Sequence, residues 1–289
     1  MKSKYPHLNK FQKKYNFSEE ILINAFEIER EFHQKILTEP LFEKRQKMYS
    51  EVYNAVHILM PDKSVANSND KMVRIFDKEL KNKSVLDVGC GTGRFLKTIA
   101  CSLPHKKLVG IDISVPNTPQ NNSEIDFRIG NIVNFDVGEK FDVVYSNQVI
   151  EHIAPADIPV HLVSITRAMK DDAIFILRTP NRLFGPCDIT RIIDFTYTGK
   201  IAAQGTHINE ATYTEIIPIL KESGFTHFRT ICYLSKINFY LKNARFSTAF
   251  PLWIERHSWV LNLMYSSRFI FGKCIIPLDI ILICRKKNI

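Results

Sequence analysis

The sequence lacks the patterns that mark small disulfide-rich proteins, zinc ribbons and membrane proteins. Its six cysteines include no CxxC pair, so neither a zinc ribbon nor a disulfide framework is indicated. The amino-terminal stretch is basic but has no apolar core of a secretory signal. The longest apolar run, IIPLDIILIC, contains Asp279 and has about half of the roughly 20 residues that a membrane span requires. These absences predict a soluble, cytoplasmic protein with reduced thiols.

Positive charge is concentrated in one part of the chain. The net charge is +9, and the stretch from His227 to Ile289 holds ten Lys or Arg against two acids. Both tryptophans, Trp253 and Trp259, lie in the same stretch. The 289 residues are enough to bury one large core, and they contain no internal repeat or low-complexity tract.

Apolar strands alternate with amphipathic helices from residue 84 onward. The predicted strands span 84–89, 107–114, 125–132, 141–147, 173–180, 225–234 and 278–287. The predicted helices span 94–103, 155–170 and 209–225, after earlier helices within 18–60 that break at Pro40 and a loop at 62–70. Because strands that alternate with helices form parallel sheets covered on both faces, the pattern predicts an α/β layered fold.

A glycine-rich loop follows the first strand and opens a helix, in the stretch VLDVGCGTGRF. Its spacing is G-x-G-x-G, which matches neither the dinucleotide fingerprint nor the P-loop. Glycines allow a tight turn here and let a ligand approach the backbone closely. Asp112 ends the second strand, where a carboxylate can accept hydrogen bonds from both hydroxyls of a ribose. Together these features predict a nucleoside-containing cofactor.

The strand FDVVYSN ends in a polar cluster, NQVIEH. Asn147 and Gln148 stand where open α/β sheets bind ligands, and Glu151 and His152 follow one turn later. Three interpretations remain open from the residues alone. The pair Glu151–His152 caps and solvates the next helix, or it acts as a catalytic acid and base near neutral pH, or its oxygen and imidazole donors hold a divalent ion.

The motifs VLDVGCGTGRF, LVGIDIS and FDVVYSNQVIEHI resemble those of class I S-adenosylmethionine-dependent methyltransferases, over roughly residues 80–234. The resemblance implies a Rossmann-like, seven-stranded, mostly parallel sheet with an antiparallel last strand. It also implies a methyltransferase domain at 81–289, with N-terminal helices at 1–80 forming a lid over the cofactor cleft. A basic, aromatic, mostly helical insert at about 235–277 precedes the last strand and is expected to cover the acceptor.

The resemblance further implies which residues bind S-adenosylmethionine. The glycine loop would hold its methionine part, Asp112 the ribose, and Ile113 the adenine. Asn131, with Ile132, takes the place after the third strand where many relatives carry Asp, and its carbonyl can still accept a hydrogen bond. The full set implied to bind the cofactor is Asp87, Gly89, Cys90, Gly91, Gly93, Asp112, Ile113, Asn131, Ile132, Asn147 and Gln148.

Two groups of relatives are especially similar around the polar cluster. The quinone-biosynthesis O-methyltransferases and the small-RNA 2′-O-methyltransferases carry E-x-x-E-H here, and in them the segment binds a divalent ion that positions a hydroxyl. Our sequence has Gln148 where the first Glu stands, and Gln is a neutral, weaker ligand. The segment QGTHINEATYTEI resembles a G-T-H segment of these relatives, which implies that His207 reaches the cleft. The catalytic candidates are therefore Glu151, His152 and His207, while Asp188 and Arg191 are expected to line an acceptor pocket.

These features predict a methyltransferase that uses S-adenosylmethionine and acts on a small-molecule, sugar or lipid-linked acceptor, more often at oxygen than at nitrogen or carbon. The alternatives are a metal-assisted RNA 2′-O-methyltransferase and a cofactor-binding subunit without activity of its own. The basic, aromatic insert is compatible with peripheral contact to an anionic membrane at its inner face. No separate RNA-binding module is visible, so nucleic acid is the less expected partner.

Overall fold

The computed structural model describes residues 4–60, 68–113, 124–234, 239–271 and 279–286, except for the side chains of 68–70 and 267–271. The helices are α1 (Leu8–Tyr15), α2 (Glu19–Thr38), α3 (Phe42–Leu59), α4 (Ser68–Ile75), α5 (Asp77–Leu80), α6 (Arg94–Ser102), α7 (Ile158–Arg167), α8 (Tyr213–Glu222), α9 (Ala249–Arg256) and α10 (Ser258–Phe271). The strands are β1 (Ser84–Val88), β2 (Lys107–Asp112), β3 (Ile125–Ile129), β4 (Phe141–Asn147), β5 (Met169–Thr179), β6 (Phe225–Thr230), β7 (Tyr233–Leu234), β8 (Phe239–Tyr240), β9 (Phe246–Ser247) and β10 (Ile280–Lys286).

Eight of these strands form one sheet in the order β3-β2-β1-β4-β5-β10-β6-β9. Strands β1 to β5 pair in parallel, and β10 is antiparallel to both β5 and β6. The predicted α/β fold with an antiparallel last strand is therefore confirmed. The two-residue strand β9 adds an eighth strand to the seven expected, at the edge beside β6.

Helices cover both faces of the sheet, as the continuous apolar strands predict. One core combines β1, β4 and β5 with Leu162 of α7 and Ile216 of α8. The opposite core joins the sheet to α4, α5 and α6 through residues such as Met72, Phe76 and Phe95. A third, smaller core packs α1 and α2 against the segment around Ile189 and Ile192.

Several element boundaries differ from the sequence-based expectation. Helix α8 begins at Tyr213 rather than 209, because Thr212 and Glu215 form a capping box in which each side chain accepts the other residue's backbone N–H, at 3.2 and 2.9 Å. The strand expected at 225–234 is interrupted after Thr230, and its last two residues pair with β8 instead. Helix α1 was not expected, and residues 68–70 begin α4 rather than continuing the loop; the remainder of the predicted loop lies outside the described residues.

The insert at 235–277 is not wholly helical. Its described part contains α9 and α10, as expected, but also β8 and β9. Among the described residues, no helix combines the length and the apolar character needed to cross a bilayer.

Candidate active site

A cavity of about 530 Å³ lies at the carboxyl-terminal edge of the parallel strands. Its sheet side includes Gly89 after β1, Asp112 at the end of β2 and Gln148 after β4. Its opposite wall is formed by helices α2 and α3. The cavity thus occupies the position at which ligands bind to open α/β sheets.

The glycine loop adopts a backbone that side chains would disturb. Gly89 has φ +75°, and a Cβ placed on it would lie 2.3 Å from Cγ2 of Val149. The backbone N–H of Gly91 donates to Oδ2 of Asp112 at 2.8 Å, which ties the loop to the end of β2. The loop and the acid are therefore one structural unit at the floor of the cavity.

Asp87 lies beneath this unit and is almost fully buried. Burial, together with the negative charge of nearby Asp112, raises the pKa of the Asp87 carboxyl well above its ordinary value. Its environment thus shifts Asp87 toward the protonated form.

The residues implied to bind the cofactor divide into two groups. Those that line the cavity are Gly89, Asp112, Ile113, Asn131, Ile132 and Gln148. Those that lie outside its wall are Asp87, Cys90, Gly91, Gly93 and Asn147. In the second group, the Cys90 thiol faces Gly110, and burial raises its pKa. Asn147 accepts a long hydrogen bond of 3.4 Å from Arg178.

Asn131 connects the sheet to the helical wall. Its Oδ1 accepts the backbone N–H of Val133 at 2.7 Å, and its Nδ2 donates to Oε1 of Gln46 in α3 at 2.7 Å. The amide in place of the relatives' carboxylate thus has a donor that an Asp would lack.

Helix α3 is held over the cavity by a buried charge pair. Arg45 donates to both carboxylate oxygens of Asp157, which is fully buried. Tyr49 donates to Oδ2 of Asp157 at 2.8 Å and accepts the backbone N–H of Ala154 at 2.9 Å. These contacts fix the wall formed by α3 to the segment that follows the polar cluster.

Glu151 and His152 do not cap or solvate a helix. They lie in a short 3-10 turn, Ile150–His152, whose side chains make no capping hydrogen bond, and α7 begins only at Ile158. Glu151 is fully buried and His152 is half-buried in the cavity wall. Their side chains bond instead to Thr179 and to the carbonyl oxygen of Thr206, so the capping interpretation is wrong.

The structure brings Glu151, His152 and His207 together, although His207 comes from a distant segment. One potential ligand atom from each lies within 4.8 Å of the others. The two imidazole rings meet edge to face, with centroids 4.8 Å apart. His207 thus joins Glu151 and His152 in one cluster, but of the three only His152 lines the cavity.

Each imidazole has one nitrogen committed to an oxygen acceptor. Nδ1 of His152 lies 3.0 Å from the carbonyl oxygen of Thr206, and Nδ1 of His207 lies 2.7 Å from Oε1 of Glu210. These acceptors place the proton on Nδ1 in both rings and leave Nε2 as the second site. Oε1 of Glu151 is buried without a hydrogen-bond partner among the described residues, while its Oε2 accepts from Thr179 at 3.0 Å.

The electrostatics of the cluster favour a positive charge on His207 but not on His152. Burial raises the pKa of Glu151 to about 7. Burial and the neighbouring His207 lower the pKa of His152 to about 3. Burial also opposes charge on His207, but the hydrogen bond to Glu210 and the charges of Asp188 and Glu151 outweigh it and raise the pKa of His207 to about 9. The carboxylates around His207 thus stabilise a cation at this point.

Glu29 and Asp188 support the segment that carries His207, a role that sequence reasoning did not assign to them. Glu29 of α2 accepts the backbone N–H of Thr206 at 2.8 Å, and Asp188 accepts that of Gly205 at 2.8 Å. A Cβ on Gly205 would lie only 2.4 and 2.6 Å from these two carboxylates. Glu29 lies 177 positions before Thr206, and no local motif announces such a contact.

Asp188 and Arg191 were expected to line an acceptor pocket, but neither lines the cavity. Asp188 also accepts the backbone N–H of Thr190 at 2.9 Å, and the Arg191 guanidinium donates to the carbonyl oxygen of Pro186 at 2.6 Å. Both are buried and shape the loops behind the cluster.

A glycine loop after β1, an acid at the end of β2 and a cavity between them define the site of a nucleotide-like cofactor in a methyltransferase fold. A family model described as a methyltransferase domain matches residues 64–228, more than half of the chain, and the chain belongs to this family. It is an enzyme that takes its methyl group from S-adenosylmethionine.

Similar curated proteins carry a more specific name. The ubiquinone biosynthesis O-methyltransferase of Pelagibacter ubique (strain HTCC1062) is 29% identical over 166 residues, which cover 54% of our chain and 67% of that protein. The protein of the same name from Rhodopseudomonas palustris (strain BisB5) is 28% identical over 151 residues, covering 48% and 58%. The chain thus spans between about half and two thirds of these relatives.

Solved structures show the same fold at low sequence identity. Phosphoethanolamine N-methyltransferase 1 of Haemonchus contortus gives a TM-score of 0.53 at 16% identity, over 86% of our chain and 50% of that chain. The 1,6-didemethyltoxoflavin-N1-methyltransferase of Burkholderia thailandensis gives a TM-score of 0.50 at 13% identity, over 84% and 87%.

Proposed function

We propose that this enzyme transfers the methyl group to a hydroxyl of a small, largely apolar acceptor. The observation that carries this proposal is the cavity itself, which runs from the glycine loop and Asp112 to His152 and Thr206. A cofactor at the loop end would present its reactive end toward the Glu151–His152–His207 cluster, so that the acceptor lies between them.

We assign the cofactor contacts on the same basis. Asp112 would hold the ribose hydroxyls, with Gly89 and Gln148 along the methionine part. Ile113, Asn131 and Ile132 would surround the adenine. The lining of the cavity by these residues, and the space left by Gly89, support the assignment.

The composition of the cavity wall supports a small apolar acceptor. Helices α2 and α3 contribute Phe32, Ile36, Val52, Tyr53 and Val56 to the wall. No Lys or Arg lines the cavity among the residues that the structure describes. A groove for RNA needs such cations to neutralise phosphates, so the wall favours a small molecule over RNA. The curated relatives named above act, by their names, as O-methyltransferases of ubiquinone biosynthesis.

The polar cluster has the donors of a divalent-ion site. Nε2 of His152, Nε2 of His207 and Oε1 of Glu151 are the atoms left for coordination, and hydrogen bonds to Thr206 and Glu210 orient the two rings from behind. A divalent ion bound there would lower the pKa of an acceptor hydroxyl. The hydrogen-bonded side chains of the cluster would keep the coordinating atoms in place and would exclude water from one side of the acceptor.

A second candidate role is proton transfer without an ion. The pKa of Glu151, raised to about 7 by burial, suits a general base near neutral pH. His152 is less suited, because burial lowers its pKa to about 3 and makes it a weak base. In this version Glu151 takes the hydroxyl proton while the two histidines orient the acceptor.

Methyl transfer to a phenol with an apolar substituent tests the proposal. We expect activity with the phenol and none with the matching compound that lacks the hydroxyl. A chelator should abolish the activity, and added Mg²⁺ or Mn²⁺ should restore it. His152→Ala should lower kcat about 100-fold or more, while cofactor binding measured by calorimetry stays unchanged and the control His257→Ala, which lies outside the cavity wall, stays active.

The outcomes separate the candidates. Activity that persists in chelator but falls with Glu151→Gln supports proton transfer and rejects the ion. Full activity of both His152→Ala and Glu151→Gln rejects either role for the cluster. Methylation of amines alone rejects the hydroxyl as acceptor.

A further inference from the structure

Helices α9 and α10 turn a row of large apolar side chains toward solvent. Phe250, Trp253, Trp259 and Leu263 have exposed fractions of 63, 43, 61 and 67%. We call these four residues the aromatic face. Clustered, exposed aromatic side chains of this size on one surface mark an interaction site rather than an ordinary protein surface.

The aromatic face is ordered by contacts on its inner side. Ile254, Leu261 and Met264 of the same helices are buried and pack against Phe184. On the outer side, the rings of Phe250 and Trp253 stack with centroids 6.4 Å apart, and those of Trp253 and Trp259 meet edge to face at 6.1 Å. The two helices therefore carry apolar side chains on both sides, and the outer apolar side is not covered by the described part of the chain.

The charges on these helices are one-sided. Glu255 is their only acid, and it turns inward, where it accepts the backbone N–H groups of Tyr213 and Thr214, both at 2.8 Å. Arg256 is exposed beside Trp253 and Trp259. The described part of the two helices thus presents aromatic rings and a cation to solvent, but no exposed carboxylate.

A second basic element, helix α1, is connected to α10 through aromatic contacts. Helix α1 carries lysines at 10, 13 and 14, and the first 18 residues of the chain contain no acid. Lys10 lies 5.9 Å from the ring centroid of Phe195, which contacts Tyr197 at 5.3 Å. Tyr197 in turn packs against the cluster that contains Leu261 of α10. A chain of aromatic contacts therefore links Lys10 to the inner side of α10, opposite the aromatic face.

We propose that the aromatic face binds the surface of an anionic phospholipid bilayer. Indole and phenyl rings partition into the boundary between headgroups and acyl chains, and basic residues beside them add attraction to anionic lipid. The absence of outward carboxylates on α9 and α10 suits a negatively charged partner. The face stands apart from the cavity wall, so the proposal does not depend on the proposed acceptor.

The tryptophan content of the chain provides a direct probe. Trp253 and Trp259 are its only two tryptophans, and both belong to the aromatic face. Tryptophan fluorescence of the whole protein therefore reports on this surface alone. We expect the emission to shift to shorter wavelength, with reduced quenching by acrylamide, when vesicles of phosphatidylcholine and phosphatidylglycerol are added. Vesicles of phosphatidylcholine alone should give a much smaller change.

Variants locate the contact. Trp259→Ser should weaken vesicle binding, measured by flotation, roughly tenfold, because it removes one large ring that the bilayer would bury. Arg256→Gln should weaken it about fivefold at low salt and leave it unchanged at high salt, where the charge is screened. Val163→Ser removes an exposed apolar side chain from α7, outside the face, and should leave vesicle binding unchanged.

Three results would overturn the proposal. The first is emission that does not change with anionic vesicles. The second is an equal change with neutral and anionic vesicles, which removes the charge contribution. The third is a concentration-dependent shift without any lipid, together with a dimer in sedimentation, which assigns the face to a second copy of the chain.

Discussion

Single residues at the glycine loop illustrate how a close contact constrains the cofactor site. Gly89 and Gly138 both have positive φ, +75° and +69°, so an alanine is strained at either position. They differ in their surroundings, because a Cβ at Gly89 would meet Val149 at 2.3 Å and one at Gly138 would meet nothing within 4 Å. The pair separates the effect of backbone strain from that of lost space.

Gly138→Ala should therefore cost about 1–2 kcal/mol in the free energy of unfolding. Gly89→Ala should cost about 1–3 kcal/mol more, because Val149 must move. It should also weaken binding of S-adenosylmethionine, since Val149 and Gly89 both line the cavity. Chemical denaturation and calorimetry check the two effects. Equal stability of the two variants would contradict this account of the loop.

At the residue scale, sequence patterns predicted some of the site residues and missed others. Asp112 and His152 were predicted as site residues, and both line the cavity. Asp112 ends β2 and His152 lies in the turn after β4, and the positions of both strands are evident in the sequence. Glu29 and Glu210 were not predicted. The contact of Glu29 to Thr206 depends on tertiary packing, and an acid within a helix has no distinguishing pattern. The contact of Glu210 to His207 is local, three residues along the chain, but an acid before a capping box has no distinguishing pattern either.

At the scale of elements, α3 is positioned by charge more than by apolar packing. Only Arg45 and Val52 of this helix are buried. The ion pair between Arg45 and Asp157 is buried, with side-chain exposures of 8 and 0%. Breaking one partner of such a pair leaves an uncompensated buried charge, which costs about 3–5 kcal/mol.

Asp157→Asn should accordingly lower the free energy of unfolding by about 3–5 kcal/mol or detach α3 locally. Glu31→Gln is the matched control, because its partner Lys35 is exposed and such a pair contributes less than about 1 kcal/mol. Denaturation of both variants, with hydrogen exchange of α3 amides, measures the difference. A small and equal effect of the two substitutions would show that the buried pair does not hold the helix.

Elements were predicted from sequence with uneven success. Strands β1, β2 and β4 were located within two residues at each end because they are continuous apolar runs bounded by polar residues. Helix α1 and the two-residue strands β8 and β9 were missed, since short elements of mixed polarity owe their structure to the surfaces they contact. The Thr212–Glu215 capping box marks the start of α8 and is present in the sequence, but the predicted helix began at 209 because the box was not used.

At the scale of the whole molecule, buried acids make stability depend on pH. Burial, and the charge of Asp188, raise the pKa of Glu29 from 4.5 to about 8. The folded protein then binds a proton that the unfolded chain releases near pH 4.5. The contribution of the Glu29 carboxyl to the free energy of unfolding is therefore fully present below about pH 4.5 and is lost as the pH rises toward about 8.

Glu29→Gln replaces the titrating carboxyl with a neutral amide of similar shape. The difference in unfolding free energy between variant and wild type should shift in favour of the variant as the pH rises from about 5 to about 8. Denaturant titrations at several pH values between these limits measure it. The exposed control Glu31→Gln should show little pH dependence, and a flat difference for Glu29→Gln would contradict the buried, proton-holding assignment.

If the proposed site is correct, S-adenosylmethionine occupies the cavity against Asp112. Isothermal titration calorimetry of the wild type and of Asp112→Ala tests this most directly, with the exposed Asp126→Ala as control. We predict binding by the wild type and the control, and a loss of about tenfold to a hundredfold for Asp112→Ala, which removes charged hydrogen bonds to the ribose. Equal affinity of Asp112→Ala and the wild type, or no binding by the wild type, would contradict the account.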